Sequence, residues 1–281
     1  MMSDPAATPA PFDHLNLNGQ AVPYQVEGHG AADDSQVLLA SDHDLTARAP
    51  WATAGFAVLP GLPAPHHAAL QHGLADLLRA ALRTAGVPVA ADFDITQYHH
   101  VIGDDPARHL AVIAQTKEFQ HSQFPIPLAV MEAYLSAACG QAISAYNYHS
   151  DERVFHLRIV RPGRADHNPL HRDVWLPEYR DGLNIYLPVA GSTARSSLTL
   201  VPGSHHWPEN TVERTAGGAI YHGVPYTVPG VLRPTRELDI IRPNPGPDEV
   251  LVFSPYLLHG AAANLNEDAT RVSLEMRFWK A

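Results

Sequence analysis

The sequence predicts a mainly β protein with flanking helices, in which a helical layer packs on a double-sheet jelly roll. Two observations support this fold class. In the first half of the chain, apolar residues recur at helical spacing in two segments. From about residue 153 onward the pattern changes to short apolar segments separated by Pro and Gly turns, which is typical of an antiparallel sandwich or barrel.

The individual elements follow from these periods and from the turn residues between them. Residues 55–62 are predicted to form a short strand closed by Pro and Gly. Residues 65–86 carry leucines at a helical period, and Gly86 suits the C-cap of that helix. A second helix is expected at 128–138, where Gly140 ends it. Further strands are expected at 154–161, 170–175, 183–189, 197–202, 228–232, 250–253 and 271–279.

Composition divides the chain at about residue 50. Residues 1–50 are rich in Ala, Pro, Gly and Asp without a clear period, so we expect an irregular N-terminal arm. Residues 51–281 are predicted to form a single domain, with the helical layer at about 64–140 and the jelly-roll core at about 153–281. A chain of 281 residues is long enough for one such domain.

The charge and the cysteine usage exclude several classes of protein. A net charge of −10 argues against binding to nucleic acid or to an anionic membrane surface. No run of 18 apolar residues is present, so no transmembrane helix is expected, and the N-terminus lacks the features of a signal peptide. The single cysteine, Cys139, excludes an internal disulfide and is expected to be a small buried residue. We therefore expect a cytoplasmic protein whose partner is a small molecule, and the sequence leaves its oligomeric state open.

One part of this acidic chain is locally basic. Between Arg153 and Arg195 there are seven arginines and four acidic residues. One interpretation is that these arginines form ion pairs across neighbouring strands. The other is that they surround a site for an anionic small molecule, and the sequence leaves both open.

The residues that indicate a chemical function begin in the segment Leu-His-Arg-Asp at 170–173. On a strand, His171 and Asp173 would point to the same face, roughly 7 Å apart at the backbone. Two histidines and one carboxylate are the ligand set of a mononuclear non-haem iron(II) site with open positions. His259 is the candidate for the second histidine, because it follows an apolar strand and a turn that carries Pro255.

A His-x-Asp pair is weak evidence alone, because the chain has 18 histidines. A second pair, His149 and Asp151, lies in a polar segment without a strand signal. We expect this second pair to lie in a surface loop and to bind no metal.

Five motifs follow one another along the second half of the chain. They are Arg161-Pro-Gly163, Pro169-Leu-His-Arg-Asp173, Leu200-Val-Pro-Gly-Ser-His205, the distal segment from Val252 to Gly260, and Arg271-Val-Ser273. Their order resembles that of the phytanoyl-CoA dioxygenase family, within the Fe(II)/2-oxoglutarate-dependent oxygenases. Residues 55–62 also resemble the N-terminal Gly-Phe-x-Val strand of this family. The similarity covers roughly residues 54–280 and is strongest from 156.

The resemblance implies a double-stranded β-helix, the cupin-like form of the jelly roll, with Fe(II) at its mouth. His171, Asp173 and His259 would be the metal ligands, and 2-oxoglutarate and O2 would be the cosubstrates. The distal carboxylate of 2-oxoglutarate would meet Arg271, a planar fork that pairs bidentately with a carboxylate. Ser273 shares the strand face of Arg271 and can donate a further hydrogen bond. The alternative for Arg271 is an ion pair at a strand edge.

Other residues have weaker assignments. Asn184 begins the strand after the ligand segment, where relatives carry a residue that touches the cosubstrate. Arg277 lies six residues after Arg271 and would therefore point to the same face of the strand. It is the alternative to Arg271 as the arginine that binds 2-oxoglutarate. Lys117 lies where some relatives place a lysine on 2-oxoglutarate. His205 is expected to stabilise a turn and not to bind the metal.

The resemblance favours a hydroxylase. Halogenases of this superfamily have a small residue in place of the carboxylate ligand, whereas Asp173 is intact, so hydroxylation or a related oxidation is expected. A cupin-like metal enzyme that does not use 2-oxoglutarate would keep the three ligands without needing Arg271 or Ser273. A non-catalytic jelly-roll binding module is a third possibility, because the fold alone does not determine function.

The substrate pocket is expected to be shaped by the segments that follow the ligands. Long loops over a rigid barrel commonly have this role. The residues predicted to contact the substrate are Arg172, Trp175, Tyr179 and Tyr221. Aromatic residues together with arginines indicate a polar or anionic molecule of modest size.

Overall fold

A computed structural model describes residues 12–32, 36–39 and 43–281 of the chain. Its helices are α1 Ala64–Thr84, α2 Tyr98–Ile102, α3 Pro106–Thr116 and α4 Leu128–Cys139. Its strands are β1 His14–Leu17, β2 Gln20–Pro23, β3 Val26–Glu27, β4 Phe56–Pro60, β5 Phe119–Gln120, β6 Ile143–Ser144, β7 Val154–Val160, β8 Gly182–Ala190, β9 Val212–Arg214, β10 Ala219–Tyr221, β11 Val224–Tyr226, β12 Val231–Pro234, β13 Glu249–Phe253 and β14 Arg271–Lys280. No helix among these residues is long and apolar enough to cross a bilayer.

A large antiparallel sheet organises the domain. Its strands are ordered β4-β13-β8-β14-β7-β5, and β6 pairs with the end of β14. The longest strand, β14, lies between β7 and β8. Because side chains alternate along a strand, β14 has one apolar and one polar face. The apolar face carries Val272, Leu274, Met276 and Phe278, and the polar face carries Arg271, Ser273, Glu275 and Arg277.

The helical layer covers the apolar face of this sheet. Leu70, Leu74 and Leu78 on α1 are fully buried and belong to the same apolar cluster as Leu274 and Phe278 of β14. The one-turn spacing of these leucines explains the helical period in the sequence. Each buried leucine side chain contributes about 1.5–3 kcal/mol. The helices thus bury one face of β14 and leave the polar face to the interior of the jelly roll.

Three small sheets form the opposite layer. They pair β1 with β2, β10 with β3 and β11, and β9 with β12. A second apolar cluster lies among them and includes Tyr24, Leu170, Tyr221 and Leu258. The predicted fold class, mainly β with flanking helices, is confirmed. The candidate metal-binding segments lie where the two layers meet.

Two predicted strands are not continuous strands in the structure. Residues 170–175 and 197–202 contribute only isolated bridges, which join His171 to His259 and Leu200 to His259 and Ile241. The first segment continues as a 3-10 helix, Asp173–Trp175. Proline cannot donate a ladder hydrogen bond, and prolines at 169, 177 and 202 flank these segments, so pairing ends after one or two residues.

Residues before 50 contain more regular structure than their composition suggested. Strands β1, β2 and β3 lie in this part of the chain, and Leu15 and Leu17 are buried in the second apolar cluster. Residues 1–11, 33–35 and 40–42 of the expected arm lie outside the described residues. The division into an arm and one domain stays a prediction.

Helices α2 and α3 were not anticipated. α3 does carry an N-terminal signal, since Asp105 precedes Pro106 and accepts a hydrogen bond from the N–H of Arg108 at 3.1 Å. α2 has only five residues and shows no period, whereas two of the three buried residues of α3, His109 and Thr116, are polar, so its buried face is not evident as an apolar period.

Candidate active site

Two histidines face each other across a single antiparallel bridge. The N–H groups of His171 and His259 each donate to the carbonyl of the other residue at 2.9 Å. His171 Nδ1 lies 2.7 Å from the carbonyl oxygen of Pro169, and His259 Nδ1 lies 3.0 Å from that of Leu257. A carbonyl only accepts, so both Nδ1 atoms carry a proton, and in a neutral imidazole Nε2 then holds the lone pair that can bind a metal.

Asp173 reaches the same point without belonging to a strand. It begins the 3-10 helix, and its N–H donates to the carbonyl of Pro255 at 3.1 Å. Asn184 Nδ2 donates to Asp173 Oδ2 at 2.8 Å, and Arg277 donates to both carboxylate oxygens at 3.1 and 3.2 Å. These two side chains fix the orientation of the carboxylate. The strand alternation that was expected to align Asp173 with His171 is therefore not what brings them together.

The three side chains form a buried group whose ligand atoms all lie within 4.8 Å of one another. His171 Nε2 is 3.4 Å from Asp173 Oδ1, and His259 Nε2 is 3.8 Å from Asp173 Oδ2. Burial raises the pKa of Asp173, but Arg277 and His259 hold that pKa well below its usual range. Burial and the neighbouring His171 lower the pKa of His259 to about 4. An ionised carboxylate and a neutral imidazole are the states that metal binding requires.

Gly260 leaves the space that the side chain of His171 occupies. Its backbone has a φ of +106°, which favours glycine, and a Cβ at this position would lie 2.3 Å from the carbonyl oxygen of Pro169 and 2.9 Å from His171 Nδ1. That carbonyl is the acceptor that fixes the tautomer of His171. The His259-Gly260 dipeptide thus supplies one candidate ligand and the space that the other one needs.

Arg271 and Ser273 lie on the polar face of β14 and are 1% and 0% exposed. Arg271 Nη1 donates to the carbonyl of Ser196 at 3.2 Å, but Arg271 Nε and Ser273 Oγ have no hydrogen-bond partner among the described residues. The carboxylate on the same strand face, Glu275, pairs at 3.1 Å with Arg158. A buried guanidinium without a directly paired acid is the environment that a carboxylate ligand would complete.

Arg277 forms the common wall of two cavities beside the triad. Tyr179 packs over its guanidinium, 4.4 Å from the ring centroid. The inner cavity is also lined by Asp173, Asn184, Leu198, Phe253 and His259. The outer cavity is also lined by Asn147, Glu152, His156, Tyr179 and Trp279. Burial and then Arg277 lower the pKa of His156 to about 3, so this wall of the outer cavity is neutral.

Three of the four predicted substrate residues lie away from these cavities. Arg172 is 1% exposed and forms an ion pair with Glu209, which also accepts a hydrogen bond from Trp175 Nε1 at 2.6 Å. Tyr221 lies in the second apolar cluster. The polar groups of these three residues bond to other groups of the protein. Of the four predicted substrate residues, Tyr179 therefore lines a cavity. Arg172 has extended backbone after His171, and its side chain is held by Glu209 and by the carbonyl of Ser204.

The structure also shows the positions of three further residues that were considered from the sequence. Asn184 contacts Asp173, whereas the sequence suggested a contact with the cosubstrate. Lys117 is exposed at the C-terminal end of α3. His205 is buried and donates through Nε2 to the carbonyl of Ala52 at 2.8 Å.

The second His-x-Asp pair is at the surface. His149 Nε2 lies 2.9 Å from Asp181, and Asp151 is exposed with a φ of +57°. Neither belongs to a group of potential ligands among the residues that the structure describes.

Sequence reasoning missed His156 and Arg158 on β7 and Glu275 on β14. His156 lies opposite Glu275 in the sheet, and Arg158 lies opposite Ser273. The strand period could have shown that His156 and Arg158 share one face of β7, because they alternate with apolar residues. Arg242 gave no such signal, since it lies in a Pro-rich segment without a period.

The residues present fit an iron(II) ion together with a 2-oxo dicarboxylate. Two histidines whose Nε2 atoms lie close to an ionised aspartate are a suitable ligand set for iron(II). The unpaired Nε of Arg271 and Oγ of Ser273 supply donors for a carboxylate.

Comparisons with known proteins identify the family and the fold of the chain. The family model described as Phytanoyl-CoA dioxygenase (PhyH) matches residues 51–273. Among solved structures, the non-heme monooxygenase ThoJ in its apo form has a TM-score of 0.51 at 15% identity, with 84% of this chain and 77% of that chain covered. This likeness shows a shared fold.

Two other solved structures are similar at lower scores. AviO1 from Streptomyces viridochromogenes Tue57 has 17% identity and a TM-score of 0.44, with coverage of 84% of this chain and 92% of that chain. EctD from S. alaskensis, solved with 2-oxoglutarate and 5-hydroxyectoine, has 15% identity and a TM-score of 0.44, with coverage of 91% and 84%. Among curated protein sequences, none matches this chain significantly.

Proposed function

The chain belongs to the phytanoyl-CoA dioxygenase family, and we propose that within this family it hydroxylates a small polar or anionic molecule. Proteins of this family are Fe(II)- and 2-oxoglutarate-dependent oxygenases, so this chain is an oxidoreductase that uses Fe(II), 2-oxoglutarate and O2. One oxygen atom of O2 enters the substrate as a hydroxyl group. The other enters succinate, as 2-oxoglutarate loses carbon dioxide.

The residues proposed to hold the iron are His171, Asp173 and His259. Bound iron(II) supplies the redox chemistry that couples decarboxylation of 2-oxoglutarate to oxidation of the substrate. The protein contributes the orientation of the ligands. The carbonyls of Pro169 and Leu257 keep both Nε2 atoms free, and Arg277 and Asn184 keep Asp173 ionised and in place. The single observation that carries the proposal is this buried triad beside a cavity.

The proposed cosubstrate residues are Arg271 and Ser273. Their buried donors provide charge and hydrogen bonds for the distal carboxylate of 2-oxoglutarate, and this part of the site excludes water. Arg277 has a different position from Arg271, because it is paired with Asp173. We therefore assign the cosubstrate to Arg271 and not to Arg277, and we assign to Asn184 the positioning of Asp173.

The substrate is proposed to occupy the two cavities that share Arg277. Once Asp173 shares its charge with a metal ion, Arg277 has positive charge available for an anionic group in the cavity. Tyr179 holds the guanidinium by stacking on it, and His156 adds a neutral hydrogen-bonding group to the wall of the outer cavity. This arrangement favours a molecule with a carboxylate, phosphate or sulfate group.

We further propose that the enzyme acts in the cytoplasm on a small molecule. Its one cysteine, Cys139, is free and buried, which suits a reducing compartment. The net charge of −10 disfavours nucleic acid and anionic membranes as partners.

The test combines binding and turnover. Anaerobic protein loaded with Fe(II) is titrated with 2-oxoglutarate, and the visible charge-transfer absorption of the chelate is recorded. Succinate is then measured in air against a panel of small carboxylates, phosphates and sulfates, with neutral analogues of each as controls. Iron binding without a 2-oxoglutarate spectrum or succinate would favour the cupin-like alternative, and absence of iron binding would favour a binding module. Stimulation by neutral compounds alone would contradict an anionic substrate.

A further inference from the structure

Two arginines lie near the proposed cosubstrate site. Arg271 is 1% exposed, and Arg242 is partly buried on a neighbouring segment. Among the described residues, neither forms an ion pair, and the guanidinium groups bond to backbone carbonyls only. The two groups bond to consecutive residues, since Arg271 donates to Ser196 and Arg242 donates to Ser197. Arg242 also donates to the carbonyl of Ala263 at 2.6 Å.

The two charges act on each other. Burial and then the charge of Arg271 lower the pKa of Arg242 to about 10, which is still above neutral pH, so Arg242 keeps its charge. Like charges that are buried together are unfavourable unless an anion compensates them. Glu275 is the acid on the strand of Arg271, and it pairs directly with Arg158 at 3.1 Å. The protein therefore leaves an excess of positive charge at this point.

Hydrogen-bond donors accompany this charge. The Nε atoms of both arginines have no protein partner among the residues the structure describes, and the same holds for Ser197 Oγ and Ser273 Oγ. Ser197 and Ser273 are both 0% exposed. A carboxylate offers about four lone-pair positions, which is enough for two guanidinium groups and two hydroxyls.

We propose that Arg242 is a second cation for the distal carboxylate of 2-oxoglutarate, acting beside Arg271. This inference rests on the proposed function, because it assumes that Arg271 meets the cosubstrate. Arg242 does two things in this view. It joins the backbone at Ser197 to the backbone at Ala263, and its charge makes the pocket selective for a 2-oxo acid with a second carboxylate.

A purely structural role is the competing explanation. If Arg242 only joins Ser197 to Ala263, its loss lowers the stability of the fold but leaves the preference for a dicarboxylate unchanged. A comparison of 2-oxoglutarate with pyruvate separates the two, since pyruvate has the same metal-binding groups and no distal carboxylate.

The experiment measures dissociation constants of both 2-oxo acids by anaerobic titration of Fe(II)-loaded protein. The variants are Arg242→Gln and Arg242→Lys. Arg195→Gln is the control, because Arg195 directly precedes Ser196 and Ser197 in the chain and its side chain is 55% exposed. We expect Arg242→Gln to weaken 2-oxoglutarate binding at least about tenfold, and Arg242→Lys to weaken it less, since lysine keeps the charge without the fork. Pyruvate binding should not change in any variant.

The outcomes are distinct. Unchanged 2-oxoglutarate affinity in Arg242→Gln, or equal weakening of both acids, would overturn the inference and leave the proposed function intact. If Arg242→Gln does not fold, Arg242→Met decides the question, because it removes the charge and keeps an unbranched side chain, and wild-type affinity for 2-oxoglutarate in that variant overturns the inference as well. Absence of any 2-oxoglutarate binding by the wild-type protein would overturn the proposed function, and the inference with it.

Discussion

Arg277 donates to both oxygens of Asp173, at 3.1 and 3.2 Å, so its guanidinium group forms a bidentate contact with the carboxylate that is proposed to bind iron. Asp173 is 1% exposed, and Arg277 is the largest of the effects that lower its pKa. The pair connects the metal site to the outer cavity, because Arg277 lines both cavities. A change at either residue should therefore affect both the metal and the stability of the protein.

Asp173→Ala is expected to abolish iron binding and turnover. It should also destabilise the metal-free protein by about 1–3 kcal/mol, because Arg277 loses a charged hydrogen-bond partner. Iron affinity and urea unfolding measure the two effects. Asp151→Ala is the matched control, because Asp151 is exposed in the other His-x-Asp pair and should keep iron. Loss of iron from Asp151→Ala with retention in Asp173→Ala would show that the wrong pair was chosen.

Arg271→Leu and Arg277→Leu should separate the two arginines of β14. Arg271→Leu leaves a carboxylate without its charged partner in a buried pocket, which costs about 2–5 kcal/mol of 2-oxoglutarate binding and strongly raises its KM. Iron binding should persist in this variant. Arg277→Leu should instead weaken iron binding, because Asp173 loses its positioning partner. The reverse pattern, in separate titrations of iron and 2-oxoglutarate, would exchange the two roles.

Gly260→Ala should weaken iron binding although it alters no ligand. The added Cβ would collide with the carbonyl of Pro169 and with His171 Nδ1, and this breaks the contact that keeps Nε2 free. Gly223→Ala is the control, because Gly223 also has a positive φ of +77° but no atom lies within 4 Å of an added Cβ. Both variants should lose about 1 kcal/mol through backbone strain. Only Gly260→Ala should lose iron affinity in an equilibrium titration, and equal iron affinity in the two variants would contradict this role of Gly260.

The strands of the large sheet could be predicted because their pattern is local. The segment 271–279 became β14 almost as expected, and the alternation of Arg271, Ser273 and Arg277 gave their shared face. The segment proposed to bind the metal was predicted as a strand, but in the structure it forms an isolated bridge and a 3-10 turn. Asp173 is aligned by a 3-10 turn and by contacts with Asn184 and Arg277, and these contacts join residues that are 11 and 104 positions apart.

Other features could not be read from the sequence because they depend on long-range packing. Arg172 lies between two proposed ligands, yet its partner is Glu209 on a distant segment. Nothing local distinguishes it from an arginine that contacts a substrate. Arg242 is similar, since its position beside Arg271 results from the pairing of Leu200 with Ile241.

Acid should destabilise the protein partly through His167. Burial and then Arg271 lower the pKa of His167 to about 3, whereas an unfolded histidine titrates near 6.5. The unfolded chain therefore takes up a proton below about pH 6.5, while the folded protein does not. The contribution of His167 to the free energy of unfolding is fully present above about pH 6.5. It is lost as the pH falls towards the pKa that His167 has in the folded protein.

Through this one group, the free energy of unfolding should be about 2 kcal/mol lower at pH 5.0 than at pH 7.5. Arg242, Asp166 and His222 also act on it, so the variant His167→Gln isolates its share. Urea unfolding of metal-free protein at the two pH values should show a smaller difference in His167→Gln than in wild type. His66→Gln, at an exposed position on α1, should behave as wild type. An unchanged pH difference in His167→Gln would mean that the folded protein accommodates a charged imidazole at this position.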